Sequence, residues 1–153
     1  MKISTLCYLK DNGSTLMLHR NKKEIDMHKD KWNGLGGKLE SGESPEDCII
    51  REVKEESGYD IIDPTLKGVI TFPKFDMVDD WMVFIYNCDK FSGDIIESNE
   101  GTLKWIDDGM LLDLNLWEGD KIFMEWIINK PFFSAKFIYK NHKLDDYSVI
   151  FYK

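Results

Sequence analysis

Apolar residues along the chain form short runs with strand character, separated by polar segments and by two stretches with helical spacing. The strand-like runs are rich in β-branched and aromatic residues. They lie at 2–10, 15–20, 66–75, 81–88, 102–106, 135–140 and 147–152. The pair Asn12-Gly13 separates the first two runs and accepts the positive φ angles of a hairpin turn. Residues 141–143 have similar turn character between the last two runs. The pattern therefore predicts a largely β framework that begins and ends with hairpins.

Two segments have helical spacing and helix-terminating residues. Ser44 is suited to an N-cap, Pro45 to the first helical position and Gly58 to the stop. Between them an apolar stripe of Ile49, Ile50 and Val53 is expected to face the core. A second helix is predicted over 118–129, where the apolar positions are Ile122, Phe123, Trp126 and Ile127. Strands on both sides of a helix predict a mixed α/β fold with helices packed on a sheet.

Length and composition predict one domain over residues 1–153 in a reducing compartment. The 153 residues contain no repeat and no Pro-, Gly- or Ser-rich linker. Three scattered cysteines are expected to be buried free thiols, and the N-terminus has no signal-like apolar segment, so we expect a cytoplasmic protein. No apolar run approaches the roughly 18 residues of a membrane span. The net charge of −8 argues against duplex nucleic acid as a partner, but a small polyanion remains compatible if divalent cations mediate.

Three acidic residues of the first helix indicate chemistry. Glu52, Glu55 and Glu56 lie at i, i+3 and i+4, so their side chains project from nearly one face. Hard divalent cations prefer carboxylate oxygens, so the cluster could bind Mg²⁺. On this spacing alone a solvated acidic surface is the better interpretation.

The residues that precede the cluster reverse that preference. Gly37 is followed by five residues and Glu43, then by seven residues and Arg51, and the segment ends at Tyr59. This spacing resembles the Nudix box, G-x5-E-x7-R-E-U-x-E-E-x-G-U with U apolar, over residues 37–59. A chance match is on the order of one in a million. The resemblance implies the Nudix fold, an α/β/α arrangement with a mixed sheet between helices. Tyr59 replaces the usual aliphatic residue, and we expect its ring to pack as a hydrophobe.

The same resemblance implies the roles of the box residues. Mg²⁺, with Mn²⁺ as an alternative, would be bound by carboxylates and by a backbone carbonyl, and one carboxylate would deprotonate the attacking water. The implied ligands are Gly37, Glu52, Glu55, Glu56 and Glu100, and the four glutamates among them are the catalytic candidates. Glu43 and Arg51 would form a structural ion pair. For Glu100, a solvent-exposed loop acid is an equally good interpretation of the sequence.

Motifs outside the box resemble the MutT-type 8-oxo-dGTP diphosphatases, most closely the streptococcal MutX-like branch. They include Trp32 to Lys38, Leu66 to Pro73, Asn99 to Leu103, Trp117 to Asp120 and Lys130 to Phe137. The implied roles are base-edge hydrogen bonds for Asn33 and Asp120, stacking for Trp117 and phosphate contact for Lys23. Further implied substrate-binding residues are Gly36, Gly37, Lys38, Phe72 and Trp81.

The residues with the first four of these implied roles can each also be explained by a local structural role. Asn33 could cap a turn, Asp120 could interact with a helix dipole, Trp117 could be a hydrophobic staple, and Lys23 could lie in a solvated loop. Gly119 stands where the mammalian relatives of this family have a second acidic residue, so one carboxylate is expected there.

The predicted function is a Mg²⁺-dependent nucleoside triphosphate pyrophosphohydrolase. Its expected substrate is 8-oxo-dGTP or a related oxidised purine nucleotide, which it would cleave to the monophosphate and pyrophosphate as part of nucleotide-pool sanitation. The alternatives are a Nudix hydrolase for a nucleotide sugar, dinucleotide or ordinary triphosphate, and a non-catalytic module that senses nucleotides. The protein is expected to be a monomer or homodimer with a small-molecule substrate and no membrane partner.

Overall fold

Ten strands and two α-helices follow one another along residues 1–153, all of which the computed structural model describes. The helices are α1 (Pro45–Ser57) and α2 (Glu118–Asn129), and a 3₁₀ helix spans Asp108–Asp113. The strands are β1 (Lys2–Asp11), β2 (Ser14–His19), β3 (Trp32–Asn33), β4 (Asp60–Ile61), β5 (Thr65–Phe72), β6 (Trp81–Cys88), β7 (Phe91–Ser92), β8 (Thr102–Asp107), β9 (Phe133–Lys140) and β10 (Lys143–Phe151).

Eight of the strands form one mixed sheet. Its order is β10-β9-β5-β6-β1-β2-β3, and β8 also pairs with β2. The pairs β1–β6 and β5–β9 are parallel, and the other pairs are antiparallel. The remaining strands, β4 and β7, form a separate two-stranded sheet beyond the C-terminal end of α1. This mixed sheet agrees with the predicted fold class.

Each face of the large sheet carries its own hydrophobic core. Successive strand residues point to opposite faces, so Tyr8 of β1 lies in the core under α2, whereas Cys7 and Leu9 lie in the core under α1. The sheet is therefore sandwiched between helices, as predicted. No helix is long and apolar enough to cross a bilayer. All three cysteines are buried and free.

The predicted ends of α1 are confirmed. The Ser44 hydroxyl accepts the Asp47 N–H at 3.0 Å, while the Asp47 carboxylate accepts the Ser44 N–H at 3.1 Å. Gly58 ends the helix with a left-handed φ of 86°. The inward stripe was partly wrong, because Ile50 is 41% exposed. It lies about 100° around the helix from Ile49, beyond the arc that reaches the sheet.

Other differences from the predicted elements arise at turns and in short pairings. The strand predicted to reach residue 75 ends at Phe72, because the chain turns there and Lys74 takes a φ of 48°. The pattern also missed β3, β4 and β7, each two residues long. The Asn12-Gly13 turn has the predicted positive φ angles, 47° and 77°. Tyr59 packs on Phe91 with ring centroids 4.8 Å apart, as expected for a hydrophobe.

Candidate functional site

A cavity of about 670 Å³ opens on the face of the sheet that carries α2. This volume is within the roughly 300–1,000 Å³ range of small-molecule sites. Twelve of the residues predicted from the sequence line it: Lys23, Asn33, Gly36, Gly37, Lys38, Glu52, Glu56, Phe72, Trp81, Glu100, Trp117 and Asp120. The fold thus brings the box helix and the outer motifs to one place.

Acidic side chains gather at one end of the cavity, where α1 borders it. Glu56 is only 7% exposed and forms no ion pair with a basic side chain. Burial raises the pKa of Glu56 well above its ordinary value, and the Glu100 and Glu52 carboxylates raise it further. Only the Arg20 guanidinium and the Gly36 N–H favour the charged form of Glu56, and their effect is weaker than that of burial and the two acidic neighbours.

The donor set at this end suits a divalent cation. A buried carboxylate with two acidic neighbours and no ion-pair partner is stabilised by a hard cation bound to its oxygens. No three acidic, His or Cys side chains converge at ligand distances in this structure. Glu55 is separate from the others: it lies outside the cavity lining, its side chain is 59% exposed, and it contacts Arg51 Nη1 at 3.4 Å. Its predicted metal role stays a prediction.

The Gly36-Gly37 segment lies against the sheet with no room for side chains. A Cβ on Gly36 would be 1.9 Å from the Thr5 carbonyl oxygen, and one on Gly37 would be 2.4 Å from Glu52 Cδ. The Gly37 carbonyl accepts the Thr5 N–H at 2.9 Å. The same carbonyl also accepts the Thr5 hydroxyl at 3.3 Å and the Cys48 thiol at 3.4 Å, so its predicted metal contact stays a prediction.

Arg51 joins the loop before α1 to the helix itself. Its guanidinium donates to both Glu43 oxygens, at 2.7 and 2.9 Å, which is the predicted structural pair. These bonds hold the pKa of Glu43 at about 2, with help from the Glu40 N–H. Arg51 also donates to Glu52 Oε1 at 2.8 Å and to the Lys38 carbonyl at 3.1 Å. The ion pair therefore also orients a cavity carboxylate.

Glu100 faces the cavity from the loop before β8, between two cationic side chains. Its carboxylate lies 3.3 Å from Lys23 Nζ and 3.9 Å from Arg20 Nη1. Of the two interpretations of Glu100, the cavity position agrees with the functional one. Lys23 likewise borders the cavity and is not fully solvated.

The other end of the cavity is aromatic and contains a buried acid. Trp117 is 5% exposed and Asp120 is 8% exposed, and no hydrogen bond reaches the Asp120 carboxylate. Burial raises the pKa of Asp120 to about 7, against the weaker opposing effect of Lys31. Phe72 and Tyr139 complete this wall, and Asn33 reaches it from β3. With a pKa of about 7, the Asp120 carboxyl can donate or accept a hydrogen bond near neutral pH.

Trp81 and Lys38 form the rim between the two ends. The Lys38 ammonium lies 5.3 Å from the centre of the Trp81 ring, and Lys2 lies 5.7 Å from the same ring. The Trp81 indole N–H donates to Asp76 at 3.0 Å, which ties the ring to the loop after β5.

Several cavity residues were not predicted from the sequence. Arg20, His28, Phe75 and Tyr139 all line the space. Arg20 and His28 belong to or border the polar, lysine-rich stretch 21–31. The structure shows Asp26 and His28 as the two partly buried positions among exposed neighbours, a difference that the sequence of this polar stretch does not indicate. Phe75 and Tyr139 are indistinguishable in sequence from ordinary core aromatics.

Comparison with known proteins adds independent information. The NUDIX domain family model matches residues 2–127. A Bacillus subtilis (strain 168) protein named "Uncharacterized Nudix hydrolase YvcI" is 37% identical over 128 residues, which cover 81% of this chain and 77% of the relative. The "Oxidized purine nucleoside triphosphate hydrolase" of Danio rerio is 28% identical over 141 residues, covering 92% and 88%. The crystal structure of a MutT protein from Bacillus halodurans superposes with a TM-score of 0.85 at 29% identity and covers 97% of each chain.

Proposed function

This chain belongs to the NUDIX family of hydrolases, and we propose that it cleaves oxidised purine nucleoside triphosphates to the monophosphate and pyrophosphate. One observation carries the proposal. A single cavity has a buried, unpaired carboxylate, Glu56, at one end and an aromatic wall with a buried acid, Asp120, at the other. The first end suits a cation-bound diphosphate, and the second suits a flat base with hydrogen-bonding edges.

At the acidic end, Glu52, Glu56 and Glu100 are the residues that would hold Mg²⁺ or Mn²⁺. Glu55, which lies outside the cavity lining, would have to turn away from Arg51 to join them. A bound divalent ion supplies charge neutralisation on the diphosphate oxygens as the P–O bond breaks. Lys23, which lies beside Glu100, contacts the phosphates. One of the cavity carboxylates accepts the proton of the water that attacks the β-phosphorus.

At the aromatic end, Trp117 stacks on the base while Asn33 and Asp120 read its edge. A purine oxidised at C8 presents an N7–H donor and an O8 acceptor in place of the N7 acceptor of guanine. Near neutral pH the Asp120 carboxyl exists in both protonation states, so it can pair with a donor or an acceptor. Pairing matters because an unmatched buried polar group costs about 1–3 kcal/mol.

Names of relatives support this substrate class. The Danio rerio relative is named for oxidised purine triphosphates, and a Proteus vulgaris protein, 38% identical over 58 residues, is named "8-oxo-dGTP diphosphatase". The predicted likeness to the streptococcal branch stays a prediction.

The proposal is tested by a substrate panel with Mg²⁺. We expect 8-oxo-dGTP to give the highest kcat/KM among dGTP, pyrimidine triphosphates, a nucleotide sugar and a dinucleotide, with pyrophosphate rather than orthophosphate as product. EDTA should abolish turnover. A preference for another nucleotide would assign a different Nudix substrate, and tight binding without turnover would indicate a sensing module.

The base-reading roles have a separate test. Asn33→Ala and Asp120→Ala should change the preference among purine triphosphates more than they slow a pyrimidine triphosphate. An equal loss on all substrates would remove both residues from base recognition.

A further inference from the structure

His28 is, with Asp26, one of two partly buried residues in the segment 21–30, and its ring meets the aromatic end of the cavity. Its Nδ1 accepts a hydrogen bond from Trp117 Nε1 at 2.9 Å. The two rings meet edge to face, at 86° with centroids 5.7 Å apart, and the Lys31 ammonium lies 5.0 Å from the centre of the indole. The polar edge of the indole is thus held by one acceptor.

Two side chains fix the backbone that carries His28. Asp26 accepts the His28 N–H at 3.0 Å, and the Arg20 guanidinium donates to both Asp26 oxygens, at 3.0 and 3.2 Å. The same guanidinium lies 3.9 Å from Glu100. A continuous line of polar contacts therefore runs from the acidic end of the cavity to the Trp117 ring.

We propose that His28 is a positioning residue for base selection, an inference that rests on the proposed function. Through its Nδ1 acceptor, His28 fixes the plane of the Trp117 indole. His28 has no part in bond cleavage. Its effect is confined to the wall on which the base lies, so it should alter nucleotide affinity and leave the chemical step unchanged.

The protonation state of the imidazole agrees with this role. Burial, together with the nearby Arg20 charge, lowers the pKa of His28 to about 4 against the weaker raising effects of Asp26 and Glu100. The ring is therefore neutral near pH 7, with an unprotonated Nδ1. If the acceptor is removed, the buried indole N–H has no partner, and the plane of the ring is then set only by packing against Phe75 and Tyr139. A lost hydrogen bond of this kind corresponds to a change in Kd of about tenfold.

Two substitutions separate the acceptor from the shape of the ring. His28→Phe keeps a flat ring without an acceptor, and His28→Asn places an amide oxygen near the position of Nδ1. Lys29→Ala, at an exposed position of the same segment, is the matched control. Binding of 8-oxo-dGMP is measured by calorimetry in EDTA, and the Trp117 indole Nε1–H resonance is followed by NMR after assignment with Trp117→Phe.

We expect His28→Phe to raise the Kd for 8-oxo-dGMP about tenfold and to move the indole proton upfield, as loss of a hydrogen bond requires. His28→Asn should restore both values to near those of the unaltered chain, and Lys29→Ala should change neither. In the triphosphate assay His28→Phe should raise KM at constant kcat.

Equal effects of the Phe and Asn substitutions would overturn the inference, because the acceptor would then be irrelevant. An unchanged Kd in His28→Phe would also overturn it. Both measurements are made without turnover. Failure of the proposed function is seen separately, as a lack of pyrophosphate release by the unaltered chain.

Discussion

Replacing Asp120 by Asn removes an ionisable group from the wall of the cavity while preserving its shape. The pKa of this carboxyl is raised by burial from 3.8 to about 7. Between these pH values the folded protein retains a proton that the unfolded chain has released. The free energy of unfolding therefore falls as pH rises through this window. In Asp120→Asn this contribution is absent, so the variant keeps the stability that the unaltered chain loses.

The size of the effect follows from the shift. About three pKa units at 1.36 kcal/mol each give a cost of up to about 4 kcal/mol once Asp120 is fully ionised. The variant should be more stable than the unaltered chain by about 2 kcal/mol near pH 5.5, and by about 4 kcal/mol near pH 8.5. The other titratable groups are the same in both proteins, so their contribution cancels when one free energy of unfolding is subtracted from the other.

The assay is urea unfolding, followed by tryptophan fluorescence across this pH range. Asp113→Asn, at an exposed carboxylate, is the control and should give a difference that does not change with pH. A difference for Asp120→Asn that is also constant would refute the reasoning, because Asp120 would then ionise equally in the folded and unfolded chains.

Three further substitutions test the acidic end. Glu56→Gln should lower kcat by orders of magnitude without lowering the thermal midpoint, because it replaces a buried carboxyl that has no ion-pair partner with a neutral group of the same shape. Pyrophosphate release measures the first effect and melting curves measure the second. Gly37→Ala should lower kcat because its Cβ would lie 2.4 Å from Glu52 Cδ and displace that carboxylate. Glu43→Gln should have a lower thermal midpoint than the unaltered chain near neutral pH. Because Arg51 lowers the pKa of Glu43 from 4.5 to about 2, this stabilisation is complete above pH 4.5 and is lost as pH falls toward about 2, where the midpoints should converge.

Each of these predictions has an outcome that contradicts it. Retained turnover in Glu56→Gln would exclude that carboxylate from the reaction. Gly109→Ala is the control for Gly37→Ala, since its Cβ would meet only Asp107 Oδ1, at 3.2 Å. An equal loss of activity in both glycine variants would mean that crowding at Glu52 is not the cause. A gap between Glu43→Gln and the unaltered chain that persists at low pH would remove the ion pair as its source.

Elements encoded by local interactions could be predicted from the sequence. The ends of α1 follow from Ser44, Pro45 and Gly58, because capping depends on residues within one turn. The helix α2 spans the predicted residues. The two-residue strands could not be predicted, because their partners are distant in sequence: β3 exists only where Asn33 meets Leu18. Local periodicity carries no information about such contacts.

The same distinction applies to the site. Spacing within the box predicted that Glu52 and Glu56 lie together, and both line the cavity, because a helix fixes which residues share a face. His28 and Tyr139 reach the cavity from segments whose positions depend on tertiary contacts, so their composition alone gave no indication. Glu55 shares the helix but is turned toward Arg51 and solvent. Helical spacing predicts a shared face, and it does not predict which side chain bends toward a neighbouring cation.

The segment from Leu35 to Leu39 is hydrogen-bonded to β1 along its length. Thr5 donates to Gly37, Cys7 exchanges two bonds with Leu35, and Leu39 donates to Ile3. Its path is therefore fixed by main-chain pairing and tolerates neither insertion nor bulkier residues.

The stretches 20–31 and 73–80 border the same cavity. Main-chain bonds hold their ends, between Arg20 and Lys31 and between Lys2 and Asp80, and side-chain contacts such as Arg20 with Asp26 and Trp81 with Asp76 hold the residues between. Residues of these two stretches can therefore vary, in evolution or by design, without altering the path of the Leu35 to Leu39 segment. Arg20 and Lys23 are the exceptions, since both contact Glu100 at the acidic end.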